Sequence, residues 1–127
     1  MPEKHVFEYA VIRIVPRVER GEFLNAGVIV FCKRKKYLAM RYKVDEKRLE
    51  AFSPGIDVQE IKGYLAAWEI ICQGSPAGGE IAQKDPAERF RWLTAAKSTI
   101  IQCSKVHPGL SAEPEHLLDD LFGKYVG

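Results

Sequence analysis

The sequence has no apolar run long enough to cross a bilayer as a helix. The opening residues, Met1-Pro2-Glu3-Lys4-His5, lack the apolar core of a secretory leader. Both absences point to a cytoplasmic protein with no membrane contact. Cysteine is scarce. Cys32, Cys72 and Cys103 are odd in number, far apart and set in apolar segments, as expected for buried, reduced thiols. No C-x-x-C pair occurs, and His5, His107 and His116 lack zinc-motif spacing, so no metal is expected. There is no P-loop, no G-x-G-x-x-G and no G-x-S-x-G, and no cofactor is implied. A large charge of one sign is also missing. The 19 Lys and Arg against 17 Asp and Glu leave a net charge of +2, which makes a nucleic-acid partner unlikely.

What remains is an ordinary globular composition, 46% apolar and 28% charged, over 127 residues. That length suits one domain, residues 1–127, with a core that needs neither disulfide nor metal. The first third reads as strand. His5 to Val15 is apolar on both parities, as a strand covered on both faces would be, and so is Gly27 to Lys33. Lys36 to Val44 alternates more cleanly. Short connections make these three an antiparallel meander.

Helical signals follow. Asp45 caps a short helix with Leu49 and Phe52. Asp57 and Glu60 open a longer one, in which Val58, Ile61, Leu65, Trp68 and Cys72 form one stripe, and Gly74 closes it. Gln73 to Lys84 reads as a loop. Asp85-Pro86 with Glu88 starts another helix. Ser98 to Ser104 reads as a fourth strand, His107-Pro108-Gly109 as a turn, and Glu113 onward as a last helix. The fold class is α+β: an antiparallel sheet of about four strands, a three-stranded meander plus a late strand, with helices packed on it. If helices cover only one face, the other should be a dimer interface.

Three segments could carry a site. Arg17, Glu19, Arg20 and Glu22, ahead of Asn25, crowd charges of both signs around Gly21 in the first hairpin; the structural alternative is mutual salt bridges. Lys33-Arg34-Lys35-Lys36 is a basic run at the second hairpin, of the kind that also guards strand edges. Arg89 to Thr99, with Trp92 and Ser98, mixes basic, aromatic and hydroxyl groups that can hold a planar anion. Cys103 and His107 are close in sequence, but a strand cysteine before a turn histidine reads as structural rather than catalytic.

Several stretches resemble a known bacterial family: Tyr9-Ala10-Val11-Ile12-Arg13, Val18 to Val28 with its Asn25-x-Gly27, Arg89-Phe90-Arg91-Trp92-Leu93-Thr94, and Ser98 to His107. The family is domain of unknown function number three thousand and thirty-seven. The resemblance marks Arg17, Glu19, Arg20, Glu22, Asn25, Arg41, Trp92, Ser98, Gln102 and His107, without roles, and associates the chain with kinases resembling the HipA toxin. The functional expectation is a non-enzymatic interaction module, an adaptor, inhibitor or antitoxin-like partner of another cytosolic protein, with a homodimer also envisaged. The competing expectation is an enzyme or sensor binding a phosphorylated or nucleotide-like ligand through Arg17, Arg20, Arg41 and Arg89, with His107 as a further candidate. The two differ geometrically, because the second needs the arginines in one concavity. Pairing of the late strand with the first would bring the Arg17–Asn25 hairpin near the Arg89–His107 segment.

Overall fold

The computed structural model describes residues 3–127; the first two, read above only for a leader, lie outside them. The strands are β1 (His5–Ile14), β2 (Leu24–Cys32), β3 (Tyr37–Tyr42), β4 (Ile101–Cys103) and β5 (His107–Ser111). The helices are α1 (Glu46–Phe52), α2 (Val58–Gln73), the single turn α3 (Gly79–Ala82), α4 (Pro86–Thr94) and α5 (Pro114–Tyr125). The fold is α+β, with all five strands antiparallel.

The meander forms as its short connections require. β1 pairs with β2, and β2 with β3. The other edge of β1 takes both late strands, β4 against its Ile12–Ile14 end and β5 against its His5–Tyr9 end. Two expectations are corrected here. The late strand is three residues, Ile101–Cys103, not Ser98 to Ser104, and His107-Pro108-Gly109 is part of a strand, not a turn. One extra residue separates the two pairings: Ile12 faces Cys103, but Tyr9 faces His107. Ser104 holds this bulge. Its hydroxyl accepts from the Val11 N–H at 2.8 Å and donates to the Lys105 carbonyl at 2.9 Å, satisfying a buried donor that the ladder leaves open. Proline is tolerated at 108 because β5 lies at an edge of the sheet. Gly109 leaves room for the Phe7 ring, which a Cβ there would run into.

The helices begin where their caps say. Asp45, Asp57 and Asp85 each accept the backbone N–H three residues on, at 3.1, 3.1 and 2.9 Å. Gly74 takes φ of 73° to end α2, a left-handed conformation that suits glycine. The segment read as a loop, Gln73 to Lys84, carries a 3-10 turn at Pro76–Gly78 and then α3.

Helices lie on both faces of the sheet, so the condition set above for a dimer interface, helices on one face only, is not met. On the larger one, Ala10, Ile12, Ile14, Ile29, Phe31 and Met40 pack with Leu49, Ile61, Leu65, Trp68, Phe90 and Leu93 from α1, α2 and α4. On the smaller one, Val28 and Val30 pack under Leu118 and Leu121 of α5. Among the described residues no helix is long and apolar enough to cross a membrane, and no cluster of three or more His, Cys, Asp or Glu could hold a metal.

Candidate functional site: an indole-lined groove

α2 and α4 pack side by side over the larger face, and the chain leaving α4 runs back into β4. The spacing of α2 puts residues 60, 64 and 68 on one line. Glu60, Tyr64 and Trp68 therefore form one wall of a groove whose other wall is Trp92 of α4, with Lys97, Thr99, Ile100 and Ile101 as floor and end. Its volume is about 590 Å³, within the usual range of ligand and side-chain clefts. Tyr64 and Trp92 are each 43% exposed, although large aromatics are normally sunk in the core. Both tryptophans of the chain lie here.

The polar groups of the groove are mostly engaged. Tyr64 donates its hydroxyl to Glu60 at 2.7 Å. That bond comes first among the causes that push the Tyr64 hydroxyl above its ordinary pKa. Lys97 Nζ sits 5.0 Å from the Trp92 ring centre and 5.3 Å from that of Trp68. It also donates to the carbonyls of Trp92, Leu93 and Ala95, the unsatisfied end of α4. Burial lowers its pKa from the ordinary lysine value. All three donors of this ammonium are thus used internally. The groove offers apolar and π surface, with no free cation to seize an anion.

The marked residues fall in several places. Arg17, Arg20 and Glu22 line a separate concavity of about 270 Å³ with Phe52 and Ser53 from the end of α1. Arg20 Nε lies 2.6 Å from Glu22 Oε1, and Glu19 is exposed beside them on a 3-10 turn. Asn25 lies within β2, where its Nδ2 donates to the Tyr125 carbonyl at 3.2 Å, tying down the end of α5. Arg41 reaches across to the same helix, donating to Asp119 at 2.7 Å and stacking 4.4 Å over Phe122. Arg89 turns the other way, to the Lys84 carbonyl at 2.8 Å and against Gly74. Gln102 faces Arg13 and donates to the Thr99 carbonyl at 2.8 Å. Ser98 is exposed just before β4. His107 packs against Tyr9, ring centres 5.2 Å apart.

Pairing of β4 with β1 does bring the first hairpin near residues 100–102: the Val15 N–H donates to the Ile100 carbonyl at 2.7 Å. It does not bring Arg17 and Arg20 to Arg89 or His107. Arg17 and Arg20 share a concavity with each other but with neither Arg41 nor Arg89. Cys103 and His107 also part company, since the bulge turns Cys103 with Ile12 toward the helices and leaves His107 with Tyr9 on the opposite face. Burial pushes the Cys103 thiol up to about 12, which suits a packed thiol rather than a nucleophile.

Tyr64 and Trp68 have helical core spacing and carry no site signal in the sequence, whereas Lys97 and Thr99 fall within the Arg89–Thr99 segment. Only Trp92, of the marked residues, lines the groove. The class defined by this geometry is a small α+β domain with an aromatic groove between α2 and α4. A family model matches residues 9–126, and the chain belongs to that family, described as Protein of unknown function (DUF3037). No curated protein and no solved structure matches the chain.

Proposed function

We propose that this domain is a non-enzymatic interaction module, an adaptor, inhibitor or antitoxin-like protein, which docks a segment of another cytosolic protein in the Tyr64–Trp68–Trp92 groove. The observation that supports this most is the exposure of two aromatics around an apolar groove whose only lysine is tied to its own helix end. A groove of this kind accepts an apolar or aromatic anchor and holds it by burial and ring packing. A HipA-like kinase is one partner to try, on the strength of the family association alone.

The competing reading, a sensor or enzyme for a phosphorylated or nucleotide-like ligand, falls back on Arg17 and Arg20 in their own concavity. Arg17 makes no ion pair among the described residues. One experiment separates the two. The wild-type chain, Trp92→Ala and the double variant Arg17→Ala/Arg20→Ala are each used to recover partners from the native host, and the recovered protein is then titrated. Loss of an aromatic anchor of this type weakens binding about 30-fold or more, at an expected cost near 2 kcal/mol. The docking reading expects that loss for Trp92→Ala alone. Loss in the double arginine variant, with Trp92→Ala unaffected, would transfer the site to the hairpin.

A further inference from the structure

The helices on the larger face stop short of one end of the sheet. Under α2 and α4, Ala10, Ile12 and Ile14 are at most 1% exposed. Earlier on the same side of β1, Val6 is 61% exposed. β5 sets Leu110 directly opposite it, 65% exposed, and Pro108 opposite Glu8. Across the other edge Glu8 faces Phe31, and Lys33 follows just past the end of β2. Beside them opens a concavity of about 320 Å³, lined by Phe31, Lys33, Lys36, Asp85, Pro86 and Ala87.

A single exposed aliphatic residue is ordinary. A cross-strand pair of them, on a face sealed elsewhere, is a bare piece of core. The charges at its second-hairpin end are mostly basic. In the run Lys33-Arg34-Lys35-Lys36, Arg34 reaches Glu3 at 3.4 Å and Lys35 donates to the Ala112 carbonyl at 3.0 Å. Lys33 and Lys36 have no ion-pair partner among the described residues. Of the nearby acids, Asp85 is occupied as the cap of α4, and Glu8 stands in the middle of the strip.

We propose that this end of the sheet docks a segment of a partner protein in which acidic side chains flank apolar ones. The apolar residues lie on Val6 and Leu110, and the acids meet Lys33 and Lys36, away from Glu8. A second copy of the chain fits poorly, since it would carry its own unpaired Lys33 and Lys36 into the contact and supply no acidic segment to match them. Nucleic acid fits poorly too, because the centre of the strip is aliphatic. The strip lies at the Pro86 end of α4, the groove at its Thr94 end, and neither proposal depends on the other.

The test uses the whole chain, isotopically labelled for NMR. Two short synthetic peptides share one pattern of leucines and differ only in carrying Glu or Lys between them; a short single-stranded RNA is the third probe. The Glu peptide is expected to shift the amides of Val6, Glu8, Lys33 and Leu110 saturably. The double reversal Lys33→Glu/Lys36→Glu should weaken it about five- to tenfold, as losing two exposed ion pairs predicts, and Leu110→Ser should weaken it as well. Both variants alter exposed side chains, and unchanged spectra elsewhere confirm that they fold. The proposal fails if the Glu peptide moves none of these amides, or if the Lys peptide or the RNA moves them equally. Concentration-dependent dimerisation abolished by Leu110→Ser would overturn it in favour of a second copy.

Discussion

On one face of the sheet Ala10, Ile12, Ile29 and Phe31 lie under helices drawn from residues 46–94; on the other, Val28 and Val30 lie under α5 alone. The same strands therefore face two cores of unequal depth. The larger holds fully buried Leu65, Phe90 and Leu93, with the Phe31 and Phe90 rings stacked 5.2 Å apart. The smaller is closed by polar ties at its rim: Arg41 to Asp119, Asn25 to the Tyr125 carbonyl, and the Tyr9 and Tyr125 hydroxyls 3.0 Å apart. Where apolar area is plentiful, burial does most of the holding; where one helix must suffice, hydrogen bonds to the sheet fix its position. Such bonds add only about 1 kcal/mol each.

The comparison breaks most directly by truncation. Phe90→Ala should lower the unfolding free energy by about 3–5 kcal/mol, and Leu121→Ala by about 2–4, measured by denaturant titration. If Leu121→Ala proves the costlier, the ranking of the two cores is wrong. Hydrogen exchange gives a finer view: the amides of α5 should open through local motions well below the global unfolding energy, while those of α2 follow the global value. Equal protection in both would mean a single cooperative unit.

Alkali probes both faces. Burial pushes Cys72 and Cys103, on the larger face, up to about 12 from the ordinary 9.0. The Tyr125 hydrogen bond, then burial, raises Tyr9 on the smaller face to about 12 from 10.0. Each group holds its proton more tightly when folded, so its contribution is complete below the unfolded pKa. Stability should thus fall as pH rises from 9 toward 12, and Tyr9→Phe should make the fall between 10 and 12 shallower by Tyr9's own share, leaving that of the thiols, while costing about 1 kcal/mol at neutral pH. A flat profile from 9 to 12 would contradict this. The smallest effect belongs to Arg41→Ala. Its partner pair is 51% and 66% exposed, so a loss below about 1 kcal/mol is expected, shrinking in high salt.

Much of this was legible along the chain because its causes are local. Three aspartates marked three helix starts, and apolar residues on both parities announced strands covered twice. The late pairing was half legible. Turn chemistry at Pro108-Gly109 hid a strand, because the reasons for those residues are the Phe7 ring and an edge position, both set about a hundred residues away. The groove was legible only along the Arg89–Thr99 segment, through Trp92, Lys97 and Thr99. Tyr64 and Trp68 have the spacing of core residues, and only the packing of α2 against α4 leaves Tyr64 half outside. The arginines misled in the opposite sense: Arg17 and Arg20 stay together beside the end of α1, while Arg41 goes to Asp119 and Arg89 to the Lys84 carbonyl, so the four do not share one concavity.

β1 waits longest for its neighbours. It meets β2 within a few residues of leaving its own end, but its other edge stays open until β4 and β5 exist. At synthesis rates of about 5–20 residues per second, that edge is exposed for roughly 5–20 s on the ribosome. Through that interval the nascent meander presents Tyr9-Ala10-Val11-Ile12 as an unpaired, strongly apolar strand, the kind of edge that recruits other chains. Newly made protein is therefore most vulnerable to aggregation before residue 101 emerges, and slow decoding between α4 and β4 would lengthen that exposure.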